Sequence, residues 1–241
     1  MKPIIEKEHR VFGKTFLGHV IVQIHHDAKF AADDFIICKS FFEDNYGLVL
    51  DDELYTLLEY KTLRFSDNTK NFNVKMSEGF IQISMDGNVY LSFRDSLLTH
   101  VMNFTRLIHS LGFKIKKFSI EKINVFPAEL QSRESHVDAI KDIFSSNLLE
   151  MLPEEYNPDI YKKGIKVDEA RFNGVLFLSF GWMRDKEAPL KFAIILDSEA
   201  ICENNDGMPS DDIDNLLTNM NQSLFDLYHW SVSDKVIKMM Q

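Results

Sequence analysis

Two carboxylates late in the chain are best placed, by type and spacing, to do chemistry. Asp197 and Glu199 directly follow an apolar run at 192–196 that is typical of a strand. Side chains two positions apart on a strand share a face, so both carboxylates could bind one divalent cation with a further ligand. They could equally point into water at the end of an antiparallel strand. The sequence leaves both interpretations open.

A second candidate is the run His25-His26-Asp27, which ends the apolar stretch 16–24. Successive strand side chains point to opposite faces, so His25 and His26 cannot readily bind the same ion. Two ligands are too few for a closed zinc site, and no CxxC or HxxxH pattern lies nearby. We interpret the run as the polar end of a buried strand. His25, Asp197 and Glu199 are retained as a candidate divalent-metal site, and no other cofactor is predicted.

Two loop motifs fail on spacing. Gly13-Lys14-Thr15 resembles the end of a phosphate-binding loop, but that motif needs a glycine at position 8, where the chain has Glu8. The acidic segment 202–212 resembles a calcium loop. Placing Gly207 at the sixth loop position puts Cys202 first and Ile213 twelfth, where carboxylates are required. Neither motif predicts a ligand.

The sequence offers no clear nucleophile. Cys38 and Cys202 both lie in apolar sequence, which favours inert buried thiols. No serine has a GxSxG setting, so no catalytic residue is predicted. Sparse cysteines are typical of a reducing compartment, and the charged start lacks the apolar core of a signal peptide. We therefore predict a cytoplasmic protein without a membrane segment.

The acidic net charge of the chain limits the classes of partner that it is expected to bind. The chain has 27 basic and 37 acidic residues, a formal net charge of −10, which repels phosphate backbones. One segment, 113–126, is an exception because it combines phenylalanines with lysines, a composition found at nucleic-acid surfaces; the lysines are Lys114, Lys116, Lys117 and Lys122. A half-exposed strand explains the same pattern, so nucleic-acid binding is disfavoured.

In the first half of the chain, the apolar pattern and the turn residues predict strands followed by a helix. The strands are placed at 16–26, 71–76, 80–85 and 88–93, with a hairpin at Asp86-Gly87. A short helix is predicted at 51–58, after an acidic pair. A longer helix is predicted to start at Ser96 and to stop at Gly112. A basic strand then runs to Pro127.

The second half repeats this plan. A capping box at Ser135 and Asp138 opens a helix with apolar positions 140, 143, 144 and 148. Asn173-Gly174 predicts a hairpin, and another strand follows Pro189. Ser210 is expected to cap the last helix, which has apolar residues at helical spacing over 213–227.

These elements predict an α+β fold. It has two similar halves, 1–130 and 131–241, each an antiparallel β-meander followed by an amphipathic helix packed on the sheet. The two halves could also form one compact unit. No alternation of single strands and helices is present, which disfavours a doubly wound nucleotide-binding fold.

Three segments resemble a sporadically distributed bacterial family of uncharacterised proteins of about this length. They are "HVIVQIHHD", "IEKINVF" before Pro127, and "FAIILDSEA" followed by "MNQSLFDLYHWSVSDKVIKMM". The first lacks the prolines that usually precede it in the family, Glu199 replaces a commoner Asp, and Glu121-Lys122 replaces an Arg-Tyr pair. The resemblance implies no activity, but the patchy distribution implies an accessory role such as phage defence or stress response.

The sequence therefore predicts a non-enzymatic binding or interaction protein. Its partner is expected to be a protein or a second copy of the chain, because strand edges and many aromatic residues suit such contacts. One alternative is a metal-dependent hydrolase or nuclease that uses Asp197, Glu199 and other acidic residues, with His25. A third hypothesis is a small-ligand sensor with a pocket between the sheet and the helices.

Overall fold

The computed structural model has an α+β fold built around one antiparallel sheet. It describes residues 4, 6–7, 15–47, 62–68, 71–129, 139–151, 163–184, 191–209 and 212–241. Several predicted features lie outside these residues; they are Gly13-Lys14, the helix at 51–58, the cap at Ser135 and Asp138, and the cap at Ser210.

Eight described strands form the sheet, in the order β2-β3-β4-β1-β5-β8-β7-β6. Their bounds are β1 Leu17–His26, β2 Thr62–Asp67, β3 Phe72–Ser77, β4 Phe80–Asp86, β5 Ile115–Glu129, β6 Lys163–Glu169, β7 Gly174–Arg184 and β8 Lys191–Glu203. β1 and β4 alternate buried and partly exposed residues along most of their length. Such alternation is expected where one face of a sheet is buried and the other contacts water.

The named helices range from 4 to 19 residues in length. They are α1 Ala32–Tyr46, α2 Thr99–Ser110, α3 Ser146–Leu149, α4 Ile213–Ser231 and α5 Asp234–Met240, and residues 139–143 are also helical. A π-helical turn, Arg94–Leu98, leads into α2, and a 3-10 turn, Ala170–Phe172, separates β6 from β7. No described helix is both long and apolar enough to cross a bilayer.

The chain divides into two compact units. Unit 1 comprises Met1–His19, Glu121–Ala200 and Asn219–Gln241, and unit 2 comprises Val20–Ile120 and Ile201–Thr218. Several elements, including β8 and α4, contribute residues to both units. The predicted division at residue 130 stays a prediction.

Unit 2 has an aromatic core between its two helices and its strands. Tyr46 of α1 stacks on Phe104 of α2, with ring centroids 5.6 Å apart and an interplanar angle of 10°. Its ring also lies 6.3 Å from that of Phe72 on β3. The Tyr46 hydroxyl group is 2.9 Å from Nδ1 of His100, which satisfies a polar group inside this core. These contacts pack α1 and α2 on one face of the strands.

Unit 1 buries the later part of α4 together with the residues around α3. Met220, Leu224 and Leu227 of α4 are almost fully buried. Phe144 packs edge-on against Phe180 of β7, with centroids 5.3 Å apart. Each large apolar side chain buried in this way contributes about 1.5–3 kcal/mol to stability.

One predicted hairpin lies elsewhere in the structure. The chain turns at Glu78-Gly79, where Ser77 pairs with Phe80, and Gly79 has a φ of 85°. The predicted turn at Asp86-Gly87 instead ends β4, and the predicted strand at 88–93 is turn and coil that leads into helix. The prediction was wrong because Asp-Gly favours any tight turn, whether or not a strand follows.

The helix prediction after this turn was wrong at its start. Ser92, not Ser96, makes the cap contacts: its hydroxyl oxygen accepts a hydrogen bond from the Asp95 backbone N–H, at 3.1 Å. The hydroxyl group also donates to the Asp95 carboxylate, at 2.6 Å. The predicted stop was confirmed, because Gly112 has a φ of 82° directly after the last turn.

Candidate functional site

The predicted metal ligands lie on strand faces that are partly exposed. Asp197 and Glu199 share one face of β8, while Leu196 and Ser198 are buried on the other. His25 of β1 has its Nε2 atom 3.2 Å from the side-chain oxygen of Gln23. Within the described part of the chain, no cluster of three or more histidine, cysteine, aspartate or glutamate residues could hold a metal ion. The metal site stays a prediction.

Both thiols are buried, as the sequence predicted. Burial raises the pKa of Cys38 to about 12, and it also raises the pKa of Cys202. Both side chains are therefore neutral thiols at pH 7, and the thiolate is the reactive form. Burial also lowers the pKa of His26 to about 4, so this imidazole is uncharged at neutral pH.

The strands of unit 2 have a second face, opposite the one that α1 and α2 cover. The strand register places Arg64 opposite Lys75, and Lys75 opposite Gln82. Gln82 accepts a hydrogen bond from the Gln23 amide at 3.4 Å, which extends the row to β1. We call this surface the open face and define it by the exposed Arg64 and five partly exposed residues: Gln23, His25, Lys75, Phe80 and Gln82.

His25 belongs to the open face and is held there by its neighbours. Its ring centroid lies 6.5 Å from that of Phe80, and Gln23 contacts its Nε2 atom. Burial lowers the pKa of His25, and the charge of Lys117 lowers it further, whereas Glu203 opposes both. Because the pKa lies below 6.5, His25 is mainly neutral at pH 7. It therefore offers hydrogen-bonding groups at this pH, and little charge.

The positive charge of the open face comes from Arg64 and Lys75. They are directly opposite each other across β2 and β3, an arrangement in which like charges are destabilising. Within the described part of the chain, neither has a carboxylate at ion-pair distance. The Nζ atom of Lys75 lies 5.2 Å from the centroid of the Phe80 ring, a cation–π contact. A patch of local positive charge therefore exists on a chain whose net charge is −10.

A buried ion cluster in unit 1 was not predicted. Asp226 of α4 is fully buried and accepts a hydrogen bond from the Arg171 guanidinium at 2.5 Å. Its other oxygen accepts from the Lys7 backbone N–H at 2.8 Å and from the Gln222 amide at 3.0 Å. Arg171 also binds Glu169 through both carboxylate oxygens. The sequence signal for this cluster was an aspartate at a position of α4 that faces the core.

Arg171 pairs with both carboxylates of the cluster and shifts their electrostatic environment. Burial alone would raise the pKa of Glu169, but the hydrogen bonds and charge of Arg171 outweigh burial and lower it. The same contacts, with Glu169 first and then Asp226, raise the pKa of Arg171. Glu169 and Arg171 therefore stay ionised near neutral pH, and the hydrogen bonds of the cluster join β6, α4 and Lys7.

A second buried charge contacts the same helix, α4. Lys122 of β5 donates a hydrogen bond from its Nζ atom to the Asn221 side-chain oxygen of α4, at 2.7 Å. The residue as a whole is only partly buried, but its ammonium group is enclosed by protein, and this burial lowers its pKa to about 8. The basic strand predicted from the sequence therefore directs one of its lysines into the protein.

Comparisons with known proteins give no family. No family model matches the chain, and no curated protein matches it. Among solved structures, the chain is similar to one described as Methanococcus jannaschii TBP. The identity is 9%, and the match covers 87% of this chain and 97% of that one, with a TM-score of 0.28. A score at this level carries no conclusion about fold or function.

Proposed function

We propose that this protein is a non-enzymatic binding protein that contacts a protein partner, or a second copy of itself, through the open face. The observation that carries the proposal is the pair Arg64 and Lys75, held directly opposite each other. Like charges in this position cost stability, and a partner that supplies carboxylates would offset the cost. The amides of Gln23 and Gln82 would supply neutral hydrogen bonds beside them.

Protein is favoured over nucleic acid as the partner. A polynucleotide extends well beyond two lysine or arginine side chains, and the remaining surface of a chain with net charge −10 would repel its phosphates. An acidic segment of a protein can be short enough to contact the open face alone. The predicted bacterial accessory role makes products of neighbouring genes the first candidates to test.

The test compares the wild-type protein with the double variant Arg64→Gln/Lys75→Gln. Native mass spectrometry and light scattering over a range of concentrations would detect self-association, and affinity capture with the tagged protein would detect a partner. We expect association that weakens with salt and is about tenfold weaker in the double variant, the loss typical of charge-assisted contacts.

Lys166→Gln is the matched control. Lys166 is also a strand lysine, and its Nζ atom lies 6.0 Å from the centroid of the Phe177 ring, but it belongs to unit 1. This variant should associate like the wild type. A strict monomer that captures nothing at low salt, or a double variant that associates normally, would reject the proposal.

A metal-dependent hydrolase or nuclease is the alternative proposal. It is supported by the position of Asp197 and Glu199 on one partly exposed face of β8. Calorimetric titration with Mg²⁺, Mn²⁺ and Zn²⁺ tests it, with Asp197→Asn/Glu199→Gln as the variant. Heat of binding that disappears in the variant would support this alternative. No heat, together with an unchanged melting temperature, would remove it.

We also propose that the sheet consists of two similar halves. The element order supports this: β1, α1, a three-strand meander and α2 are followed by β5, α3, a second three-strand meander and α4. The strand order supports it too. Read from one edge of the sheet, the order is β2-β3-β4-β1, and read from the other edge it is β6-β7-β8-β5, so each meander ends beside the first strand of its own half. These halves divide the chain before β5, between residues 113 and 114, and not at residue 130 as the sequence predicted. Expression of residues 1–113 and 114–241 as separate chains tests the idea, which requires each to have strand and helix signals by circular dichroism.

A further inference from the structure

A pocket of about 550 Å³ lies in unit 1, beside the buried ion cluster. It is bordered by the segment 141–149 on one side and by 226–234 of α4 and the following turn on the other. Pockets that bind small molecules usually have volumes of about 300–1,000 Å³, so this one is large enough for a metabolite. No part of the open face contributes to it.

The two sides of the pocket are tied together, which holds it open. Phe144 and Val232 form an isolated antiparallel bridge. The Ser145 hydroxyl group donates to the Trp230 carbonyl oxygen at 2.6 Å, and the Ser145 N–H donates to the Ser231 carbonyl oxygen at 2.8 Å. A site fixed in this way does not need to be ordered again when a ligand binds, so less binding energy is lost.

Two lysines of the pocket lining can contact an anionic group. Lys7 and Lys141 both line the pocket, and within the described part of the chain neither has a carboxylate at ion-pair distance. Asp226 also lines it, but its two oxygens already accept hydrogen bonds from Arg171, Gln222 and the Lys7 backbone. Asp234 is the remaining described carboxylate of the lining and is exposed. The lining therefore holds two lysines without a described ion-pair partner, and these are the groups that can bind an anion.

The buried aspartate explains how Lys7 is placed. The Lys7 N–H donates to Asp226, and the Lys7 carbonyl oxygen accepts from the Gln222 amide at 2.8 Å. The backbone at Lys7 is therefore fixed against α4 from both sides, which keeps its side chain at the pocket. Ser146 and Asn147 line the pocket too, and their hydroxyl and amide groups can donate to an oxyanion.

We propose that this pocket binds a small organic anion, with Lys7 and Lys141 as the residues that contact its phosphate or carboxylate group. The proposal is independent of the open face, because the two sites have no residue in common. The pocket volume exceeds the need of a bare ion, so the rest of the ligand would lie against the neighbouring side chains, including Trp230.

Calorimetric titration and thermal denaturation at constant ionic strength test the proposal, with AMP, citrate, sodium phosphate and uncharged adenosine as probes. AMP and citrate distinguish a phosphate from a carboxylate ligand. We expect at least one of the two to bind and to raise the melting temperature by about 5 °C or more at a hundredfold excess over its Kd. Lys7→Gln and Lys141→Gln should each weaken this binding about tenfold or more.

Lys238→Gln is the control, since Lys238 is exposed on α5 and does not line the pocket. This variant should bind as the wild type does. The proposal is overturned if neither AMP nor citrate binds, if adenosine binds as tightly as AMP does and citrate does not bind, or if both pocket variants retain wild-type affinity.

Discussion

Replacement of Lys122 by methionine should stabilise the protein at neutral pH. The ammonium group is enclosed by protein, and its pKa falls from 10.5 to about 8 on folding. At about 1.4 kcal/mol for each pH unit, this difference corresponds to about 3 kcal/mol by which the charged group disfavours the folded state. Methionine removes the charge but leaves Asn221 without its donor, which costs about 1–2 kcal/mol. We therefore expect a net gain of about 1–2 kcal/mol at pH 7.

The pH dependence gives the sharper test. Below about pH 8 the lysine is protonated in both states, so the full cost is present. Between about pH 8 and 10.5 the unfolded chain holds more protons than the folded one, so wild-type stability rises with pH. The advantage of Lys122→Met should therefore shrink by about 3 kcal/mol over this interval and change sign.

Urea denaturation of both proteins from pH 7 to pH 10.5 measures this difference. Buried tyrosines such as Tyr46 and Tyr228, whose pKa is raised by burial, also affect stability at high pH. They are common to both proteins and cancel in the comparison. Lys238→Met, at an exposed position, is the control and should leave the pH dependence unchanged. A stability difference between the wild type and Lys122→Met that stays constant with pH would refute the reasoning.

Three further predictions concern buried side chains and close packing between strands. Asp226→Ala should lower the free energy of unfolding by about 3 kcal/mol in urea, because Arg171 loses a buried partner; a loss below 1 kcal/mol would contradict this. Gly18→Ala should destabilise by about 1–3 kcal/mol in the same assay, because an added Cβ would lie 2.9 Å from the Val125 side chain, and unchanged stability would show that the strands can shift. Cys38 should resist iodoacetamide at pH 8 in the native state and react after unfolding, as followed by mass spectrometry; rapid native labelling would disprove its burial.

Local patterns in the sequence were sufficient for several elements. The strand at 16–26 and the last helix were confirmed, because each has a long apolar pattern with one period. Helix α1 was missed although Phe35, Cys38 and Phe42 are buried at helical spacing. Ile36 and Ile37 are apolar but exposed, so they obscure the helical spacing of the buried residues in the sequence. The hairpin at Asp86-Gly87 was wrong because this dipeptide favours a turn whether or not a strand follows; β4 lies beside β1 instead, which is distant in sequence.

The candidate sites were harder to predict, because they are formed by contacts between residues that are far apart in the sequence. The open face needs Gln23, Arg64 and Lys75 from three strands, and their register follows from backbone pairing rather than from any motif. The cluster around Asp226 joins residues 7, 169 and 171, and each looks like an ordinary surface residue when read locally.

By itself, the sequence determined the class of fold, the burial of both thiols and the ends of several elements, because these depend on apolar periodicity and on turn residues close together in the chain. Only the tertiary structure decided which charges are buried and which face a partner. The reason is physical: the energy of a charge depends on the groups that surround it in space, and here those groups come from distant parts of the chain.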